Sequence, residues 1–134
     1  MSAERGSMSV FTVLFSVVVF LLAGLLVDGG AAINARLRAA DVAEQAARAG
    51  ADRIDVEHLR ATGTARLLGE GEVCDRAAEM VKGDGVTMGA CTVGGAQAEV
   101  TVAVRVKWTA FFLGALGFPG SEMEGEATAA PDAR

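Results

Sequence analysis

Residues 10–27 read VFTVLFSVVVFLLAGLLV, eighteen consecutive positions without a charge, and Asp28 ends the run. At 1.5 Å per residue a helix of that length is about 27 Å long, close to the hydrocarbon thickness of a bilayer. Thr12 and Ser16 fit within it, because a helical hydroxyl can bond back to the preceding turn. A carboxylate is costly at membrane depth, so Asp28 sets the limit of the span. The reading is one transmembrane helix over 10–27 behind a short tail over 1–9. The rival is a secretory signal peptide, whose apolar region normally runs about seven to fifteen residues before a small-x-small cleavage site. This run is longer, although 29–31 forms a weak site of that kind.

The chain has 134 residues, with twelve Lys or Arg against seventeen Asp or Glu and a net charge of −5. Beyond the anchor about a hundred residues remain, enough for one small domain with a thin core. The expected division is a stem helix over 28–54, an α+β domain over 55–130 and a tail over 131–134. The net negative charge, with both signs interspersed and no Tyr, argues against a nucleic-acid partner. The lipid bilayer is the first partner implied. The amino terminus and Arg5 are expected in the cytoplasm and the domain outside. Arg36 and Arg38 weaken the positive-inside signal. The cysteines supply independent support: Cys74 and Cys91 form an even pair beyond the anchor, and in an exported domain such a pair reads as one disulfide.

From Asp28-Gly29-Gly30 to about Ile54 the sequence stays helical and rich in Ala, the best helix former. Asn34, Arg38, Asp41, Gln45, Arg48 and Asp52 recur at spacings of four and three and mark one narrow polar stripe. The remaining circumference is small and apolar, with Ile33, Leu37, Val42 and Ile54 among the alanines. That face packs either against its own domain or against other subunits, and periodicity does not separate the two. Gly29-Gly30 costs about 2 kcal/mol of helix propensity relative to two alanines, so a kink there is one expectation and a continuous helix over 7–54 the other.

Residues 55–69 read as a mixed connector, and 70–82 as a second helix with Val73, Ala77, Met80 and Val81 toward a core, closed by Gly83 and Gly85. A hairpin follows: strand 86–93, the pair Gly94-Gly95, and strand 96–108. Val100, Val102, Val104, Val106 and Trp108 share one face of the second strand, while Thr101, Ala103, Arg105 and Lys107 share the other. A two-residue loop pairs Val93 with Ala96 and Cys91 with Ala98, which puts Cys91 on the valine face, toward Cys74. Residues 110–118, AFFLGALGF, form an apolar connector, and 122–130 a third strand. The fold class is therefore α+β, with a long transmembrane-plus-stem helix, a short second helix and a three-stranded antiparallel sheet.

Catalytic chemistry has no foothold in this pattern. His58 is the sole histidine, which leaves no Cys-His or Ser-His-Asp set, and Gly83-Asp84-Gly85 lacks the rest of a phosphate loop. Glu122, Glu124 and Glu126 alternate along one strand face and read as solvated rather than metal-binding. No cofactor, metal or enzymatic activity is expected.

Val27-Asp28-Gly29-Gly30 followed by LRAADVAEQAARAGA at 37–51 resembles the TadE/TadG-like proteins of the tight-adherence (Flp-type) pilus system, in the form found in actinobacteria. The shared pattern is a charged start ending in Gly (here Glu4-Arg5-Gly6), an apolar helix, an Asp-Gly step, and an Ala-rich helix with a central Ala-Asp-x-Ala around Asp41. A late Ala127-Thr128-Ala129 strand fits as well. The resemblance implies a pilin-like minor pilin or pseudopilin, inserted amino terminus inside, with other pilins or pilus-assembly membrane proteins as partners. It also implies a prepilin peptidase that cuts after Gly6 and leaves Ser7 as the new terminus. Many pseudopilins carry Glu five residues after the cut, where this chain has Phe11. Three functions follow: a minor pilin or assembly factor, a membrane-tethered binding domain outside any filament, or a protein released by signal peptidase.

Overall fold

The computed structural model describes residues 2–131, with side chains from Gly6 onward; the rest of the expected C-terminal tail lies outside the described residues. The element order is α1 (Ser2–Ala51), α2 (Val56–Thr62), α3 (Glu70–Ala78), β1 (Val86–Gly94), β2 (Glu99–Thr109), α4 (Phe112–Ala115) and β3 (Gly120–Ala129). This is the α+β architecture expected: one long helix, short helices, and an antiparallel sheet in the order β1-β2-β3.

Helix α1 holds 50 residues, about 75 Å at the standard rise. It is long and apolar enough to cross a bilayer once. It runs through Gly29-Gly30 without a break, so their propensity cost is offset by packing farther along the helix. Its end falls earlier than the expected position 54, because Ile54 leaves the helix to bridge Leu67. That bridge is flanked by Leu68 N–H donating to the Arg53 carbonyl and Asp55 N–H to the Arg66 carbonyl, both at 2.9 Å.

The expected connector over 55–69 contains a helix that periodicity was too short to reveal. Asp55 starts α2 by accepting from the His58 N–H at 3.0 Å, and Gly63, with φ at 75°, closes it. Asp55 also accepts from Arg66 Nη2 at 2.8 Å. The His58 amide, and after it the Arg66 guanidinium, hold the Asp55 carboxyl below the usual carboxylate range. The second expected helix, α3, ends at Ala78 rather than 82.

The valine row of β2 is the centre of the core. Val100, Val102 and Val104 are fully buried, with Val106 close behind. Above them lie Ala35, Ala39, Ala43, Ala46 and Ala47 of α1, and beside these Val73 and Ala77 of α3. The Ala face of the stem thus packs on its own sheet, with its polar stripe left in water.

The hairpin register differs from a two-residue loop. Val93 pairs with Val100 and Cys91 with Val102, so the turn spans 95–98. Gly95, Ala96 and Gln97 all take positive φ, at 58°, 56° and 67°, and Ala98 N–H closes the turn on the Gly94 carbonyl at 3.0 Å. The partner of Cys91 moves four residues from the expected Ala98. An even shift preserves the strand face, so Cys91 still points at the core. A bulge between Met88 and Cys91 makes this possible: it switches the inward parity from Val86 and Met88 to Cys91 and Val93.

Strand β3 pairs with β2 over its whole length, Gly125 opposite Val104. A Cβ on Gly125 would stand 2.3 Å from the Ala40 nitrogen and 2.5 Å from the Ala39 carbonyl carbon. Helix and sheet therefore touch backbone to backbone here.

Candidate assembly surface and membrane junction

The two halves of α1 meet very different surroundings. From Met8 to Val27 its large apolar side chains are all exposed; Phe20 is 72% and Leu26 78% exposed. The hydroxyls of Thr12 and Ser16 donate to the carbonyls of Met8 and Thr12 at 2.9 and 2.8 Å, as expected, and so present no unmet polar group. Just past this stretch the pattern turns: Ala35, Ala39, Ala43, Ala46 and Ala47 are buried, while Ile33 and Leu37, four residues apart on one face, stay 63% exposed.

Asp28 stands at the change. Rather than facing water as the end of an apolar run, its side chain is 1% exposed. Oδ1 accepts from the N–H of Phe111 at 2.8 Å and of Phe112 at 3.2 Å, and Oδ2 from that of Leu113 at 2.7 Å. The carboxylate therefore caps the first turn of the apolar segment expected to be a plain connector. Charge-assisted bonds to three backbone donors offset much of its desolvation. Gly24 lies one turn earlier on the same face; a Cβ there would meet Phe112 Cβ and Cγ at 3.0 Å. Gly24 and Asp28 together form the seat of the 111–118 segment. Sequence reasoning missed this pairing, for which the signal was a glycine four residues before an acid on one helix face, opposite an apolar loop.

The other expected site residues are placed as follows. Cys74 and Cys91 are joined, tying α3 to β1 with Cα atoms 6.0 Å apart, a normal disulfide separation. Gly29 and Gly30 are half-buried and have no neighbour within 4 Å of a Cβ position. Asp41 is exposed and accepts from Gln45 Nε2 at 3.2 Å, so it does not join Asp28 in one site. Gly6 and Ser7 are exposed near the far end of α1. Glu122, Glu124 and Glu126 lie on the solvated sheet face, where Glu124 pairs with Arg105 Nε at 3.3 Å. No acidic, His or Cys group suited to a metal ion occurs among the described residues. His58 sits on α2 with Nε2 3.4 Å from the Thr64 hydroxyl.

Residues 6–53 match the family model described as Flp pilus-assembly TadE/G-like. The match covers little more than a third of the chain and is confined to α1 and the two residues after it. No curated protein and no solved structure matches the chain.

Proposed function

We propose, from the premise that residues 6–53 belong to the TadE/G-like pilus-assembly family, that this protein is a minor pilin or pilus-assembly factor acting through subunit contacts. Its role is structural. The observation that carries this reading is where the family segment lies: on a helix whose first half is uncovered and whose second half builds a domain. Other pilins or pilus-assembly membrane proteins would pack on the exposed apolar side chains of 8–27, and on Ile33 and Leu37 where the stem leaves the membrane. The Ala face is not offered for this, because the sheet already covers it.

In this reading the amino terminus is cytoplasmic and the domain over 55–130 is extracytoplasmic, where the Cys74–Cys91 bond persists. A prepilin peptidase would cut after Gly6, an exposed position at the start of the uncovered stretch. Phe11, which takes the place of the usual Glu, favours a second reading: a tethered extracytoplasmic binding domain that never enters a filament. Without a carboxylate at that depth, a neighbour's buried terminal amine would lack its ion partner.

Sequencing the amino terminus of protein purified from cells separates these. Ser7 as the first residue supports the pilin reading, Met1 or Ser2 the tethered domain, and a residue beyond Gly30 a released protein. A photo-crosslinker at Leu37 tests the contact itself. Adducts with identified pilus subunits or assembly proteins are expected, and their absence from cells assembling the pilus would remove the case for a subunit interface.

A further inference from the structure

We infer that residues 111–118 are a second membrane-embedded element, a foot that enters the leaflet beside the folded domain and is clamped to α1 by Asp28. The inference rests on the reading of 10–27 as the membrane span. Depth follows from geometry. The foot lies not beyond Asp28 but alongside the residues before it. Phe112 packs on Gly24, one turn inside the apolar run, about 6 Å along the axis. An apolar groove between the foot and α1 continues past Phe20, about 12 Å inside, with Leu116 on its other wall. If 10–27 is in hydrocarbon, a segment packed on Gly24 and facing Phe20 across the groove is there too.

The chemistry of the foot agrees with that solvent. Residues 110–120, AFFLGALGFPG, contain no charge, and Phe111, Leu116 and Phe118 are 77, 66 and 66% exposed. Irregular backbone is tolerated at membrane depth only when its polar groups are satisfied within the protein. Here Asp28 takes the N–H groups of Phe111, Phe112 and Leu113. Ala110 N–H donates to the Pro119 carbonyl at 3.2 Å and closes the loop. Those of Leu116 and Phe118 go to the Leu113 carbonyl at 3.0 and 2.9 Å, and that of Gly117 to the Gly114 carbonyl at 3.2 Å. The groove offers water little to bond, since the Thr12 and Ser16 hydroxyls on its wall already donate to their own helix. Its occupant is a lipid acyl chain.

The test uses the full chain in phosphatidylcholine vesicles whose acyl chains carry bromine at a shallow or a deep carbon. Trp108, the sole tryptophan, is first replaced (Trp108→Phe). Phe118→Trp in that background reports the foot and Val19→Trp the span; both replaced side chains are exposed, so neither change disturbs packing. The expected result is loss of most Phe118→Trp emission to shallow bromine, none to aqueous iodide, and loss of Val19→Trp emission to deep bromine. Iodide quenching of Phe118→Trp with the span still quenched by bromine would place the foot in water and overturn the inference alone. Shielding from both quenchers would put protein, such as a second copy, over the foot and would overturn it equally. Failure of Val19→Trp to quench would remove the span and the inference together.

Discussion

The two halves of α1 are both apolar and helical, yet they are built from different side chains for different solvents. Over 8–27 the surface is Val, Leu and Phe, all uncovered; over 35–51 it is rich in Ala, and every alanine but Ala40 is buried. Large side chains suit a fluid phase, which needs no complementary shape. Alanine serves where a fixed neighbour must come close, as it does at Gly125, where even a Cβ would collide with the α1 backbone. A helix–sheet contact this tight leaves no room for a larger side chain on either surface. One continuous helix therefore does two jobs, and the side-chain volume marks where one gives way to the other.

Filling the tight helix–sheet contact should have the largest effect. Gly125→Val places new atoms against the Ala39 and Ala40 backbone, which cannot rotate away. The expected loss exceeds the about 3 kcal/mol that marks the usual upper end of overpacking. Thermal melting of the detergent-solubilised chain measures it, and a variant that melts like the parent would show that helix and sheet are not in backbone contact.

Val19→Arg attacks the other half. A guanidinium near the span's centre costs about 2.5–3.5 kcal/mol on insertion scales, while Val19 has no packing partner in the folded domain to lose. The membrane fraction should fall and the domain's melting should stay put. Full retention in membranes would mean that 10–27 is not what holds the protein there.

Replacing both cysteines (Cys74→Ala with Cys91→Ala) should lower the stability of the domain by about 3 kcal/mol, the chain-entropy value for a loop of this size. The anchor, which owes nothing to the domain's fold, should still fractionate with membranes. Unchanged melting would show that the bond adds little to what α3 and the sheet already hold.

The mildest test pairs one change from each half. Ala46 is fully buried under the sheet, so Ala46→Leu should cost about 1–3 kcal/mol. Leu26→Ala, at a side chain 78% exposed, should leave the melting point unchanged. If Ala46→Leu is silent in melting yet abolishes association with pilus components, the stem's Ala face is an interface and not a core.

Features that rest on local pattern are legible along the chain. Eighteen uncharged residues define a span by length and composition alone, and Asp28 bounds it. The alternation from Val100 to Trp108 identifies a strand and its buried face, and parity places Cys91 on that face although the loop is four residues rather than two. The out-of-phase pairs Val86, Met88 and Cys91, Val93, split by Gly89, also carried the bulge in plain view. Short α2 and α4 were less legible, since one or two turns show no period. The surroundings of the stem's alanines emerge from packing alone, because a methyl group suits a protein core and a subunit interface equally well. Packing likewise makes Gly125 a contact point and has Asp28 cap a turn more than eighty residues away. Those are meetings of backbone atoms and one carboxylate across the fold, and such groups leave no periodicity in the chain to announce them.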